Sequence, residues 1–492
     1  RRYISANTAE LATEVNLQSA GTVNITATNY TQTDSGHIDV SAARQGGKLS
    51  IQATGKVELQ GKVDASAKNN TPQPEASPAA APVTAPEAPS QGGDIEVNAG
   101  GDIEINHATL DASGDRGGRI QLRAAAPVEP GNPQPLPDAP GQGRLAMMGN
   151  STLSVRGRQG QGGTAHLLGD HLDLLDTSKI DASGATGGGT VLVGGDWQGS
   201  NGVYQATTVT MTEGVSIDAS ATQQGDGGKV VLWSNAHRSD TITRFAGTIT
   251  ARGGDQGGNG GQVETSGYQL MVEGGSVNAG ANQGSSGLWY LDPTDSTITQ
   301  AVANSYRTTL NTGTDVLNEV TGTITWSAGV TLNKTAGGDA SLTLRAGSVT
   351  GSDITLNSPN ITSTSGALNL VLWTRYNTEG HSGTISITGG TINTNGGVLN
   401  NSQGAIVAYI AAPAGAASSS PNAATLRIDS GTLTNDAGLI QSTGNSIALT
   451  PAVAALSIHT GNNALTNANS GTANGIISNG ATLINTGSAS LN

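Results

Sequence analysis

Between His166 and Asp176 the chain carries a set of metal-ligating side chain types: His166, Asp170, His171, Asp173 and Asp176. A catalytic zinc ion needs three such ligands converging on one point, with a position left open. The surrounding residues read as strand, and strand residues of opposite parity face opposite sides. The five therefore cannot all converge, and they read as outward polar positions. A second acidic set, Asp94, Glu96, Asp102 and Glu104, lies in the tandem GGDIEVNA/GGDIEINH. Calcium takes six to eight oxygens closing on one centre. The tandem has a period of eight and lacks the glycine placement of calcium-binding nonapeptides, so it reads as a solvated acidic face. Two aspartate pairs, Asp170 with Asp173 and Asp292 with Asp295, have the types needed for general acid–base hydrolysis of a sugar linkage. Asp292-Pro293-Thr294-Asp295 follows an apolar run and reads as a turn or cap.

Other aspartates recur at one place in a repeated phrase. The phrase is a short apolar strand, a small polar turn, a glycine pair and another strand. It occurs as IDASGATGGGTVLVGGD from Ile180 and IDASATQQGDGGKVVLW from Ile217, then more loosely from Ile249 and Val277. Earlier copies start at Ile38, Val63 and Leu110. Asp64, Asp111, Asp181 and Asp218 hold the same place in it, where they would cap the turn after a strand. Gly187, Gly188, Gly227, Gly228, Gly260 and Gly261 mark corners, as do Asp292 and Pro293. No copy has the GxxxxGK[ST] form of a phosphate cradle, and none opens a helix. A repeat disperses its carboxylates along the stack instead of gathering them for catalysis.

The elements holding these positions are short strands. Runs such as Val23–Ala27 and Lys48–Ala53 alternate apolar and polar residues and are bounded by Gly, Asn or Ser. Helical spacing is missing from residues 1–70, and the strand pattern excludes helical repeats. The chain has 492 residues with 71 glycines, 3% aromatic and 12% charged residues. That is too few large side chains for three broad cores, but enough Val, Ile, Leu and Ala for one thin continuous core. The net charge of -14 and the absence of a Lys/Arg cluster exclude a phosphate-tracking groove, and with it a nucleic-acid partner. With no cysteine, folding needs no particular redox compartment. No run approaches about 18 consecutive apolar residues, so no helix is expected to span a membrane.

In order, residues 1–70 read as solenoid coils and 71–90 as a Pro-rich loop insertion. Residues 91–126 are coils again and 127–143 a second Pro-rich insertion. Residues 144–295 are the most regular coils, and 296–492 are coils rich in Ser, Thr and Asn. The two insertions hold twelve of the 17 prolines, and proline cannot donate to a strand ladder. A smaller loop is expected at Ala411–Ser420. The uneven repeat and the several strands within each interval point to an all-β parallel β-helix over a propeller. Coils of about 20–25 residues would give roughly twenty turns and a rod of roughly 100 Å at about 4.8 Å per turn.

GGTAHLLGDHLDLLDTSKIDASGATGGGTVLVGGDWQG (162–199), GGKVVLWSN (227–235), TRFAGTITARGGDQGGNGGQVETSG (243–267) and GLWYLDPTDSTI (287–298) resemble the repeat region of filamentous-haemagglutinin-type exoproteins. The stretch from Ile361 to Val398 is similar to the adjoining segment of that family. The resemblance implies a right-handed parallel β-helix. It implies a secreted or cell-surface protein of Gram-negative-type bacteria, exported through an outer-membrane two-partner secretion transporter and acting as an adhesin, filament or biofilm component. The family's amino-terminal secretion motifs are not present, and the chain starts Arg1-Arg2-Tyr3, so we expect a piece of something longer.

Three functions are expected candidates. A non-enzymatic adhesin or filament would bind polysaccharide, or a host or bacterial surface glycan or protein, through many outward Thr, Asn and Ser contacts, and could self-associate. It would need neither cofactor nor metal. The alternative is a polysaccharide lyase or hydrolase, since fold alone does not set function. Its sugar-stacking side chains would come from Trp197, Tyr204, Trp233, Trp289, Tyr290, Trp326 and Trp373. An ice- or mineral-binding threonine array is the third, but Thr207–Thr210 and Thr248–Thr250 read as isolated.

Overall fold

The computed structural model describes residues 18–68, 88–125, 143–347 and 353–374, followed by eight strands between 384 and 478 described by their backbone alone. Nearly all of both Pro-rich stretches, and the expected loop at Ala411–Ser420, lie outside the described residues. Every strand pairing is parallel, in sheets of 15, 14 and 10 strands. The chain is a parallel β-helix. Each turn of the 14-stranded region contributes one strand to the 15-stranded first sheet and two to the second. The two rows of the second sheet fuse where a single long strand spans both, as in Val57–Asp64 and Ile103–Asp111.

The alternation seen in sequence is the packing rule. Inward positions of the first sheet stack as Leu49, Ile95, Ile120, Ala165, Val191, Val230, Val263 and Trp289. Those of the second sheet stack as Val63, Leu110, Leu153, Ile180, Ile217, Ile249 and Val277. All of these are at most 2% exposed and belong to one core that runs from Val40 to Leu372. Parallel register places like side chains above one another, so a single apolar choice per coil fills the core.

Stacked positions also measure the coil. Val23 to Leu49, Ala165 to Val191, Val263 to Trp289 and Val316 to Leu342 are each 26 residues. Leu49 to Ile95 is 46 and Ile120 to Ala165 is 45, and these two intervals contain the Pro-rich stretches. Val191 to Val230 is 39. The basic coil is thus longer than expected from the sequence, and the first sheet has fifteen strands where roughly twenty turns were expected. Fourteen steps of about 4.8 Å span roughly 67 Å. The irregular repeat spacing comes from insertions into a constant coil.

The glycine pairs are columns of backbone contact. A Cβ at Gly188 would sit 1.8 Å from the Ala219 carbonyl oxygen, and one at Gly260 1.7 Å from that of Ala279. Gly227 meets Ala251, and Gly228 and Gly261 meet the glycine carbonyls of the preceding coil, in the same way. The second glycine of each pair also closes its own coil: Gly189 N donates to Ala182 O at 2.8 Å, Gly228 N to Ala219 O at 2.7 Å and Gly261 N to Ala251 O at 2.7 Å. In the phrase from Ile180 the stacked pair is Gly188-Gly189. Gly187 lies one step earlier, and its carbonyl accepts from Gly162 N at 3.0 Å. The recurrent aspartates form the facing column. Their Oδ1 atoms accept the backbone N–H two residues on: Asp64 from Ser66 at 3.0 Å, and Asp111 from Ser113, Asp181 from Ser183 and Asp218 from Ser220 at 2.9 Å each. This is the Asx turn that Asp–Ala–Ser encodes.

An α-helix interrupts the strands, where the sequence showed no helical spacing. Gln300–Leu310 is capped by Thr299, whose hydroxyl accepts from Val302 N at 3.4 Å. It buries Ala303, Tyr306 and Leu310, and Tyr306 meets Trp289 edge to face, as Trp289 meets Phe245. The helix packs on Ser276–Asn278, the last strand of its row in the second sheet. The 10-stranded third sheet begins just before the helix, at Ser296–Ile298. Among the described residues, no helix is long and apolar enough to cross a membrane.

Candidate functional site

The residues nominated in sequence are dispersed. His166 points outward from the first sheet beside Gln121 and Leu192. Burial, with Arg119 next in importance, pushes its pKa down to about 4, so it is neutral. Asp170 is buried and accepts from Tyr204 at 2.9 Å and Thr207 at 2.7 Å. His171 Nε2 is 3.3 Å from Asp170 Oδ2, and its Nδ1 is 2.9 Å from the Thr208 hydroxyl. Asp173 pairs with Arg144 at 2.6 Å, and Asp176 accepts from Gly149 N at 2.8 Å. Among the described residues no three His, Asp or Glu side chains are grouped to hold a metal ion. The tandem acidic set divides between two sheets. Asp94 and Glu96 are paired with Lys48 at 3.4 and 3.0 Å, Glu104 with Lys56 at 3.2 Å, and Asp102 accepts from Arg144 N at 2.9 Å. Asp295 is also committed to backbone, accepting from Thr323 N at 2.7 Å. Pro293, buried and without an N–H, ends the strand Leu288–Asp292.

A different cluster forms on the outer face of the first sheet. Register aligns Leu192, Val231, Glu264 and Tyr290 in one outward column. Trp233, Ser266 and Asp292 occupy another, and Glu319 is aligned with Arg345 further on. An outward column should be wet, yet Val231 and Glu264 are fully buried and Tyr290 is 3% exposed. The cover over the first part of this face is the segment 194–206, which leaves the strand Thr190–Val193 and folds back over the outside of the sheet.

This flap is held at several points. Gln198 N donates to Glu264 Oε2 at 2.9 Å, and Gln198 Nε2 to the Tyr290 hydroxyl at 3.1 Å. Trp197 stacks on Tyr290, with ring centroids 5.6 Å apart and planes at 22°. Lys229 reaches Asp196 at 2.7 Å, and Asn201 Nδ2 donates to the other Asp196 oxygen at 2.7 Å. Trp233 Nε1 donates to Gln205 at 2.8 Å, closing a small apolar cluster with Leu192 and Val231. Two non-glycine residues of the flap lie in the left-handed region, Gln198 at φ 51° and Asn201 at φ 60°.

Burial sets the electrostatics. It raises the Glu264 carboxyl to about 8, against the opposing hydrogen bonds from Gln198 and Ser266 and with help from the Asp292 and Asp196 charges. Burial and the neighbouring Glu319 raise Asp292 to about 7. Glu319 is pushed up by burial, while Arg345, 2.7 Å away, opposes this. The site therefore holds three carboxyl groups that burial pushes up, and Glu264, beneath the aromatic cap, favours the protonated form at neutral pH.

Of the seven aromatic residues nominated for stacking, Trp233, Trp289, Trp326, Tyr204 and Tyr290 are buried. Trp197 alone keeps partial exposure among those whose side chains are described. The sequence reading missed Glu264, Glu319, Lys229 and the flap. The signal was present in Val191-Leu192-Val193, Val230-Val231-Leu232-Trp233 and Trp289-Tyr290-Leu291, which are apolar at both parities. A strand apolar at both parities is buried on both faces. Comparisons with protein-family models and with curated proteins found no match to this chain.

Proposed function

We propose that the chain is a rod-like scaffold of a secreted or surface-attached adhesin or extracellular filament, and that it binds without chemical turnover. The observation that carries this reading is the parallel register, which repeats every outward side chain as a column along the rod. One column of the second sheet reads Lys62, Thr109, Thr152, Lys179, Ser216, Thr248 and Ser276. Thr109, Thr152 and Thr248 thereby share one column with lysine and serine side chains, in steps of about 4.8 Å, whereas Thr208 aligns with His171 and Ile242. Such a column offers weak hydrogen bonds at the spacing of the coils, and many weak contacts along one polymer multiply into avidity. The acidic surface keeps a long rod soluble. The resemblance of the repeat phrases to filamentous-haemagglutinin-type exoproteins supports the same reading, with polysaccharide or surface glycan or protein as ligand, an outer-membrane transporter as export partner and self-association as a further property.

The competing reading is a polysaccharide-active enzyme, favoured by the buried carboxyls Glu264 and Glu319 and the partly buried Asp292. Two of them are already engaged: Glu264 holds the flap and Glu319 holds Arg345. The two readings separate in one experiment. Purified protein is applied to a glycan array and to intact bacterial and host cells, while acidic polysaccharides are assayed for new ends. Retention without turnover is expected. Turnover that is abolished by Asp292→Asn would replace the adhesin reading with the enzyme one.

A further inference from the structure

We propose that Trp197 is the stacking platform of a saccharide subsite, taking the apolar C–H face of a pyranose unit, with Asn201 and Lys229 at its polar rim. This inference rests on the glycan-binding reading above and gives it a place on the rod.

Three observations carry it. First, the flap is not required to close a turn. Coils such as Ala165 to Val191 close in 26 residues, whereas the interval holding the flap takes 39. Second, the flap holds two non-glycine residues in the left-handed region. Gln198 and Asn201, both with side chains, sit at φ 51° and 60° just after Trp197. Backbone strain of this kind costs on the order of 1–3 kcal/mol per residue and gathers at ligand-binding positions. Third, the ring is fixed before any ligand arrives. One face of it lies on Tyr290, which is 3% exposed, while Trp197 itself keeps partial exposure. The next residue, Gln198, is tied to both Glu264 and Tyr290, which anchors the backbone that carries the ring.

The rim is fixed too. Lys229 and Asn201 each reach Asp196 at 2.7 Å, and the Lys229 side chain remains 32% exposed. Asn201 is exposed, and Gln262, also exposed, follows Lys229 in the adjoining outward column. An aromatic ring beside fixed amide and ammonium groups matches a sugar ring, whose one side is C–H and whose edge is hydroxyl. A preorganised site loses little entropy on binding.

The test uses the full chain on immobilised cello-, chito-, xylo- and manno-oligosaccharides, followed by solution titration of the tightest binder. Trp197→Ala should weaken that binding about tenfold or more, and Trp197→Phe, which keeps a ring, by only a few fold. Met271→Ala, at an exposed site on the second sheet, should bind as the parent does. If the parent binds and Trp197→Ala binds equally well, the subsite is overturned while the adhesin reading stands. If the parent binds cells or proteins but no saccharide, the subsite is again overturned alone. If the parent binds nothing, both readings fall. If Trp197→Ala also lowers the melting temperature, Trp197→Phe decides: retained binding supports the platform, and loss equal to that of the alanine variant overturns it.

Discussion

Replacing Glu264 with Gln should weaken a pH dependence built into the flap. Glu264 is fully buried, and burial lifts its carboxyl from 4.5 to about 8. Between those values the closed flap retains a proton that an open or unfolded chain releases. The folded state thus binds more protons than the unfolded one, and stability falls as pH rises. The contribution is fully present below about 4.5 and is lost as pH climbs to about 8. At about 1.36 kcal/mol per pH unit, the 3.5-unit interval corresponds to roughly 5 kcal/mol of closure free energy. Asp292, raised to about 7, acts with the same sign. The glutamine amide keeps an oxygen for Gln198 N and an N–H₂ for the Ser266 hydroxyl, so the variant preserves the latch without the proton. The assay is amide hydrogen exchange at 196–205, corrected for intrinsic rates, at pH 5, 6.5 and 8. Opening free energy in the parent should fall steadily over that range, and the slope in Glu264→Gln should shrink by Glu264's share, leaving that of Asp292. Equal slopes in the two proteins, or tighter closure of the parent at pH 8 than at pH 5, would refute the reasoning.

Further outcomes concern the scaffold. Gly260→Ala places a methyl 1.7 Å from a backbone oxygen and should cost about 1–3 kcal/mol or more, whereas Gly338→Ala, with nothing within 4 Å, should be near neutral. Paired thermal melts check this. Asp181→Ala removes the acceptor for Ser183 N and its hydroxyl and should cost about 1 kcal/mol, and Asp181→Asn should recover most of it, read by urea unfolding. Lys334 is fully buried and its ammonium donates to the carbonyls of Ala336, Gly337 and Ser365. Lys334→Met strands these acceptors and should lower stability by roughly 1–3 kcal/mol, measured by the melting temperature of the full chain.

Much of the scaffold was legible because each level of the sequence carried the same message. Alternation gave the strands, the Asp–Ala–Ser phrase gave the turn, and the glycine pairs gave the close approach of successive coils. The site was less legible, for a geometric reason. Residues adjacent in space lie one coil apart in sequence, and the coil length varies with each insertion. Glu264 and Tyr290 are 26 residues apart, while Leu192 and Val231, in the same column, are 39 apart. No fixed spacing could collect them. The helix at Gln300–Leu310 was hidden because its buried stripe of Ala303, Tyr306 and Leu310 is sparse among Thr, Asn and Ser. The Asp292–Asp295 pair drew attention by being close in sequence, but Asp295 binds the turn at Thr323, whereas Asp292 faces Glu319 and Tyr290.

The functional account turns on columns of weak contacts acting together along one polymer. The most direct measurement compares the affinity of the full chain for an immobilised polysaccharide with its affinity for a short oligosaccharide of the same sugar, with chain ends counted in the same samples. Multivalent binding predicts an affinity for the polymer about 100-fold or more above that for the oligomer, with no new ends formed. Equal affinities, or the steady appearance of new ends, would contradict it.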